Sequence, residues 1–402
     1  MPLVFHMQTT FDIIIIGAGP AGSAAAYYLA KGGLNVALLD KTDFPRDKTC
    51  GDGLTPRAVK MLKEMDALDK VAGQGFRCNG ITLRHSDSVE YQLSLAGLAG
   101  LPDYVLVLPR LALDDLLLKH AIESGANFIP NTKVKNVTRD SAGAVQAHVE
   151  GREALTGKLA IIATGANTKL LRDAGLLDKK VPANLAARCY FENVEGLDDN
   201  VVLFFDGVER PGYGWVFPTS PTTANVGCGV FFDSPTPQPT ALREMIQNHP
   251  YLKRVLKNAK QAGPIKGYPL RTDFSPEYSG NEWILVVGES AGLVNPITGE
   301  GIDYALESAS LAAGVILEEW QGGRTPAIAR KYRAALRQKF HYQLAINHLA
   351  QKIYFRSALL DNLIKSGQRK ERVRRAIVDA CFGSADPIVM FSPRTLWEVF
   401  GP

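Results

Sequence analysis

Cysteine is scarce in this chain of 402 residues: there are five, an odd number, widely scattered at Cys50, Cys78, Cys189, Cys228 and Cys381, with no Cys-x-x-Cys pair. That excludes a disulfide framework and a zinc site of the usual spacing. The seven histidines form no ligand-spaced cluster either, so no metal centre is expected. Long apolar runs are missing. No stretch nears the roughly 18 residues that span a bilayer, and residues 1–10 lack a basic segment followed by an apolar one, so a cytoplasmic location is expected. Met7 is a second candidate start, which would make the residues before it an extension. Charge of one sign is not in excess: a net charge of +4 gives no reason to expect nucleic acid as a partner. Internal repeats and low-complexity tracts are absent as well. What remains is an ordinary globular composition, 46% hydrophobic and 21% charged, in a length that holds two or three structural units.

The most informative stretch is Phe11-Asp12-Ile13-Ile14-Ile15-Ile16-Gly17-Ala18-Gly19-Pro20-Ala21-Gly22. An apolar strand that runs into G-x-G-x-x-G and then a small-residue helix is the fingerprint of dinucleotide binding. Gly17 permits the tight turn, Gly19 lets the backbone approach a pyrophosphate, and Gly22 lets the helix pack on the sheet. Pro20 and Ala21 then open the helix whose N-terminus faces the phosphates. A second apolar run, 35–39, ends at Asp40 and Lys41, where a ribose-binding carboxylate belongs.

The pattern along the chain is α/β: strand 12–16, helix 20–31, strand 35–39, a loop over 45–56, helices over 56–65 and 111–124, a small sheet from 131–138 and 144–149, and a buried strand 158–163 entering Thr164-Gly165. From 184 to 232 aromatic and β-branched strands at 186–191, 201–205, 213–217 and 224–232 suggest an inserted antiparallel substrate sheet. Strand 283–287 resumes the first unit. The expected division is therefore a discontinuous Rossmann-type nucleotide domain (10–180 and 281–320), a β substrate domain (181–280) and a basic helical region (321–402).

Strand 283–287 leads into Gly288-Glu289-Ser290-Ala291-Gly292 and then Asn295-Pro296-Ile297-Thr298-Gly299-Glu300-Gly301-Ile302. A helix that starts among glycines presents amides able to stabilise negative charge, such as that on the ring carbonyl of a reduced flavin. Together with 17–22, Asp40, and Leu108-Pro109-Arg110 followed by Leu113-Asp114 and Leu117, these residues resemble the FAD-binding signature of the group that holds aromatic hydroxylases, flavin halogenases and geranylgeranyl reductases. Phe44-Pro45-Arg46-Asp47-Lys48-Thr49-Cys50-Gly51-Asp52-Gly53, the strand Tyr213-Gly214-Trp215-Val216-Phe217-Pro218 and the Gly299-Glu300-Gly301 turn are similar to the geranylgeranyl reductase family, including its menaquinone reductase branch. The likeness runs from about residue 10 to about residue 320.

The resemblance implies an enzyme in which FAD, reduced by an external donor (NAD(P)H, a reduced carrier or an electron-donor protein), gives a hydride to a carbon–carbon double bond of a polyprenyl substrate, while a nearby acid gives the proton. It places Cys50 beside the flavin as the candidate acid, where Arg46, Lys48 and Arg57 would favour a thiolate. Arg46, Cys50, Gly51, Arg110, Thr164, Gly165, Gly288, Glu289 and 299–302 join the candidate cofactor residues. Tyr213, Trp215 and Phe217 alternate, share one face of a strand, and with Pro218 form a candidate wall for an apolar chain. Two positions depart from the wider group: Thr164-Gly165 stands where hydroxylases carry an Asp-Gly pair that serves FAD and NAD(P)H, and Glu289 stands where the flavin turn usually has aspartate. The alternative left open is an FAD monooxygenase or halogenase acting on an aromatic or carrier-bound metabolite.

Between Arg324 and Arg375 the last region is cationic, with Arg330, Lys331, Arg333, Arg337, Lys339, Lys352, Arg356, Lys365, Arg369, Lys370, Arg372 and Arg374 against Asp361 and Glu371. Leu344, Ile346, Leu349, Ile353, Tyr354, Leu359, Leu360 and Ile364 are interspersed at helical spacing. Such a segment can lie on an anionic membrane, or it can be a solvated face over the core.

Overall fold

Four successive isoleucines have no polar face to offer water, so they can only be the interior of a layered sheet. In the computed structural model, which describes residues 10–181, 184–231, 234, 236–320, 325–355, 359–382 and 387–400, they form the strand Ile13–Ile16, buried throughout. This is the central strand of a five-stranded parallel sheet in the order Ile284–Val286, Leu159–Ile162, Ile13–Ile16, Val36–Leu39, Asn127–Ile129. The helix Pro20–Lys31 follows the first glycine turn, and its buried Ala24, Ala25 and Ala26 let the helices Ile302–Glu319 and Arg110–Glu123 pack beside it. A three-stranded antiparallel sheet (Val134–Arg139, Val145–Val149, Leu155–Gly157) hangs from this layer, and a second small sheet joins Gly53–Leu54, Val105–Val107 and Phe76–Cys78.

The expected β unit is larger than its sequence interval. Seven strands lie in the order Lys260–Leu270, Asn184–Glu192, Thr223–Val230, Gly212–Ser220, Asn200–Phe204, Gly80–Ser86, Val89–Ser94. The last two come from well before residue 181, and Gly80–Ser86 pairs with Asn200–Phe204 in parallel, so the sheet is mixed rather than wholly antiparallel. The reason is burial: Ile81, Leu83 and Leu93 are nearly inaccessible only because the large sheet and the C-terminal helices cover them. The helices Gln238–Asn248 and Pro250–Val255 close the opposite face.

The C-terminal region is helical, with Thr325–Leu336, Tyr342–Tyr354, Leu359–Arg369, Glu371–Phe382 and Pro393–Phe400. Most of its apolar stripe turns inward. Leu344, Tyr354, Leu360 and Ile364 are buried, Ile346 and Leu359 are half-buried, and Leu349 and Ile353 stay exposed. Three of the sequence expectations touch Phe232, 321–324 and Arg356, which lie outside the described residues. Among the described residues no helix is long and apolar enough to cross a membrane, and no group of His, Cys, Asp or Glu is placed to hold a metal.

Candidate active site

The first glycine turn is built so that only hydrogen fits at two of its positions. Gly17 has φ +104°, and a Cβ there would stand 2.4 Å from the Ala163 carbonyl oxygen; one on Gly22 would stand 1.8 Å from that of Gly17. The turn is thereby pressed against the strand end, and the helix N-terminus at Gly19 and Pro20 opens into a cavity of about 740 Å³. Asp40, at the end of Val36–Leu39, accepts from the Ala18 amide at 2.9 Å and from the Thr42 amide and hydroxyl at 3.1 and 2.9 Å. Its carboxylate thus fixes the turn from the side while facing the cavity.

Two guanidinium groups stand at the same turn. A methyl on Gly19 would lie 3.6 Å from Arg46 and 3.9 Å from Arg110. Both are aimed by one carboxylate, Asp114, which is fully buried one helical turn beyond Arg110. Arg110 reaches it through Nε and Nη2 at 2.6 and 2.7 Å, and Arg46 through Nη1 at 2.9 Å. Burial would lower the Arg110 pKa, but Asp114 outweighs it and holds the group above its ordinary value. Exposed amides at a helix N-terminus together with two buttressed guanidinium groups are the donor set that a pyrophosphate requires.

The second glycine turn is pinned to the strand beside it. Ser290 Oγ donates to the Gly165 carbonyl at 3.2 Å, and Thr164 Oγ1 donates to the Asn167 carbonyl at 3.0 Å. Glu289 accepts from Lys48 Nζ and from the Arg271 amide, both at 3.3 Å. The loop that follows is wrapped on Asn295, whose amide donates to the Glu300 carbonyl at 2.8 Å and whose Oδ1 accepts from the Ile297 amide at 2.9 Å. Gly299 adopts φ +70° with its amide turned back onto the Asn295 carbonyl at 2.9 Å, Gly301 caps the helix Ile302–Glu319, and all of 299–302 line the cavity.

Nearly all the candidate residues line this one cavity. Gly17, Gly19, Pro20, Ala21, Asp40, Lys41, Arg46, Cys50, Gly51, Arg110, Thr164, Gly165, Glu289, Gly299, Glu300, Gly301 and Ile302 do so, as do Tyr213, Trp215 and Phe217. Three others do not. Gly22 and Gly288 pack behind the turns, Gly288 against Ala21 and Ala305, and Pro218 falls on the strand face opposite Phe217. The alternating aromatics follow one another along the wall with their rings tilted, the ring centres 6.0 Å (Tyr213–Trp215) and 6.2 Å (Trp215–Phe217) apart. Trp215 Nε1 donates to Asn225 at 3.0 Å and Tyr213 donates to the Thr298 carbonyl, which ties the wall to the second turn.

The expectation for Cys50 needs correction in one respect. Its thiol is half-buried in the cavity, but the three cations expected to activate it face carboxylates instead. Arg46 pairs with Asp114, Lys48 with Glu289, and Arg57 with Glu307 and Asp303. A buried cation seeks the nearest anion, and the sequence does not show which anion that is. The guanidinium that interacts with Cys50 is Arg110.

The structure also brings in residues that the sequence reading passed over. Asp52, fully buried at φ +68°, accepts from Tyr190 Oη at 2.6 Å, Asn225 Nδ2 at 2.7 Å and the Arg110 amide at 3.2 Å. Burial pushes its carboxyl up to about 6 against the pull of Tyr190 and Asn225. Asn225 also donates to the Cys50 carbonyl at 2.7 Å, so one amide locks the cysteine loop to the aromatic strand. Arg110 and Asp114, four apart in a helix, carried a readable signal for their pairing; Asp52 carried only its place between two glycines. Beyond the aromatic wall the cavity becomes apolar, lined by Ile81, Leu83, Phe205, Leu360, Leu363 and Ile364 among others, and the helices Leu359–Arg369 and Glu371–Phe382 roof it.

Comparison with known proteins matches residues 10–344 to the family described as FAD binding domain. The chain is 35% identical over 322 residues to a menaquinone reductase of Mycolicibacterium smegmatis, covering 76% of each protein. It is 30% identical over 319 residues to digeranylgeranylglycerophospholipid reductase 1 of Methanosphaera stadtmanae, covering 77% of this chain and 76% of that one. Its fold is shared by a geranylgeranyl bacteriochlorophyll reductase-like protein of Thermoplasma acidophilum, with a TM-score of 0.79 at 24% identity over 98% of this chain and 100% of that one.

Proposed function

Since this chain belongs to the FAD binding domain family and is an FAD-dependent oxidoreductase of the geranylgeranyl reductase and menaquinone reductase type, we propose that it reduces carbon–carbon double bonds of a polyprenyl lipid. The observation that carries this reading is the continuity of the cavity. One end has the donor set of a dinucleotide site, the other is a roofed apolar channel, and the aromatic wall with Cys50 stands where they meet.

In this reading the amides of Gly19 and Ala21, presented by the turn at Gly17 and by Pro20 at the start of the helix, hold the pyrophosphate together with Arg46 and Arg110; Asp40 and Lys41 hold the ribose. Thr164, Gly165 and Glu289 face the ribityl chain, and within the turn 299–302 the amides of Gly301 and Ile302 face the ring carbonyl. Bound FAD supplies a hydride donor. The chain's own part is positioning. Tyr213, Trp215 and Phe217 set the alkene against the ring, Cys50 and Gly51 close the side opposite, and the roof excludes water from an alkene that is a poor electrophile. Electrons come from an external donor, either NAD(P)H or a reduced carrier protein. The exposed Tyr342, Leu349 and Ile353 lie at i, i+7 and i+11 beside Lys352 on one helix, and we assign them to peripheral contact with an anionic membrane that holds the substrate.

The test is anaerobic photoreduction of the purified flavoprotein, followed by mixing with a polyprenyl compound or with oxygen plus halide or an aromatic. Reoxidation by the polyprenyl compound with a saturated product is expected; reoxidation by oxygen alone, with a hydroxylated or halogenated product, would overturn it. Cys50→Ser should keep FAD bound and slow the polyprenyl reaction.

A further inference from the structure

Behind the second glycine turn lies a buried cluster of charge that the reading above does not use. The helix Ile302–Glu319 turns Asp303 and Glu307, one turn apart, into the core, where they are 1% and 7% exposed. Arg57, from the helix Pro56–Glu64, is inserted between them. Its Nη2 and Nε lie 2.8 and 3.2 Å from Glu307, its Nη1 lies 3.6 Å from Asp303, and its guanidinium sits 4.5 Å over the Tyr304 ring. From the solvent side Lys339 reaches Glu307 at 3.4 Å. The third carboxyl is Glu300, half-buried, with its open side on the cavity and the Thr298 hydroxyl beside it.

The charges do not balance if all three carboxyls ionise. Glu307 takes both cations and Asp303 shares Arg57, whereas Glu300 has no ion pair among the described residues. A carboxylate at Glu300 would be desolvated and would face Asp303 with no cation of its own. Burial first, and then Asp303, push its carboxyl well above the usual carboxylate range, with Arg57 and Thr298 opposing. Burial pushes Asp303 up as well, against Arg57, and of the two Glu300 is the one that lacks a cation among the described residues, so it is the one that favours keeping its proton. The other titratable groups that interact with Glu300 are Tyr213, Tyr304 and Cys381, each raised by burial, so none of them competes as an anion.

We propose that Glu300 is the proton donor of the reduction. This rests on the reading that an alkene is reduced. As hydride from the reduced cofactor bonds to one alkene carbon, the π pair bonds to the Glu300 proton at the other carbon, and the O–H bond breaks. The carboxylate left behind faces the Thr298 hydroxyl and Arg57 until water returns the proton. A neutral carboxyl on the cavity wall suits this step better than Cys50, whose expected activating cations are all engaged elsewhere.

The test uses Glu300→Gln, Glu300→Asp and Cys50→Ser beside wild type. In flavin-free protein at neutral pH, the infrared carbonyl band of a protonated carboxyl should be present in wild type, Cys50→Ser and Glu300→Asp, and lost in Glu300→Gln. In single turnover, Glu300→Gln should slow reoxidation of the reduced flavin by a polyprenyl compound by about 100-fold or more, and Glu300→Asp should recover part of that rate. An unchanged infrared band in Glu300→Gln, or equal polyprenyl rates for it and wild type, would overturn the assignment. A wild-type flavin that polyprenyl compounds leave reduced would overturn the substrate reading together with it, and is told apart by that wild-type result.

Discussion

Replacing Asp52 with asparagine should remove a pH dependence from the stability of this protein. The carboxyl is buried with three donors on it, at 2.6, 2.7 and 3.2 Å, and burial still raises it from 3.8 to about 6. A raised acid favours the folded state only while it keeps its proton. Its contribution is therefore complete below the unfolded value of 3.8 and is lost as pH climbs through about 6. At about 1.36 kcal/mol per unit the shift amounts to about 3 kcal/mol, of which about 2 kcal/mol falls between about pH 4.5 and about pH 7.5. Asparagine cannot ionise. Urea unfolding of flavin-free wild type and Asp52→Asn, at one ionic strength across that range, measures the difference. Wild type minus variant should fall by about 2 kcal/mol from acid to neutral pH, whatever constant amount the asparagine amide costs by opposing the Asn225 and Tyr190 donors. A difference that stays flat, or rises with pH, would refute the claim that desolvation dominates at Asp52.

Arg57→Met leaves Glu307 and Asp303 buried without their shared cation and should cost about 3–5 kcal/mol in urea unfolding, with a loss under about 1 kcal/mol contradicting the charge count. Gly22→Ala sets a methyl against the Gly17 carbonyl and should abolish FAD retention. Gly314→Ala, in open space within the helix Ile302–Glu319, should instead stabilise by about 0.5–1 kcal/mol, and equal effects of the two would undo the packing argument. Leu363→Trp fills part of the apolar end and should raise KM for long prenyl chains by about tenfold or more, while the flavin spectrum stays as in wild type. A shifted spectrum with unchanged KM would move that end of the cavity away from the substrate.

The parallel layer and both glycine turns were legible because each rests on a local rule: a strand buried on both faces must be apolar, and a turn with no room for Cβ must be glycine. The seven-stranded sheet was not, since its pairing of Gly80–Ser86 with Asn200–Phe204 joins segments more than a hundred residues apart, and alternation names a face without naming a partner. The C-terminal stripe was ambiguous for a related reason. Leu360 and Ile364 at helical spacing look alike whether they face a membrane or the interior, and here they turn inward, onto the apolar end of the cavity. The charges around Cys50 misled because Arg46, Lys48 and Arg57 are its neighbours in sequence while their anions, Asp114, Glu289 and Glu307, come from distant helices and turns.

The roof over the apolar channel lies outside the part of the chain that the FAD binding domain model matches, which stops at residue 344. Its helices, Leu359–Arg369 and Glu371–Phe382, supply none of the residues assigned to the cofactor. The apolar end of the cavity is thus closed from two stretches of the chain, with Ile81, Leu83 and Phe205 inside the matched residues and the two roof helices beyond them. Substitutions confined to the roof therefore reshape that end of the cavity without altering either glycine turn.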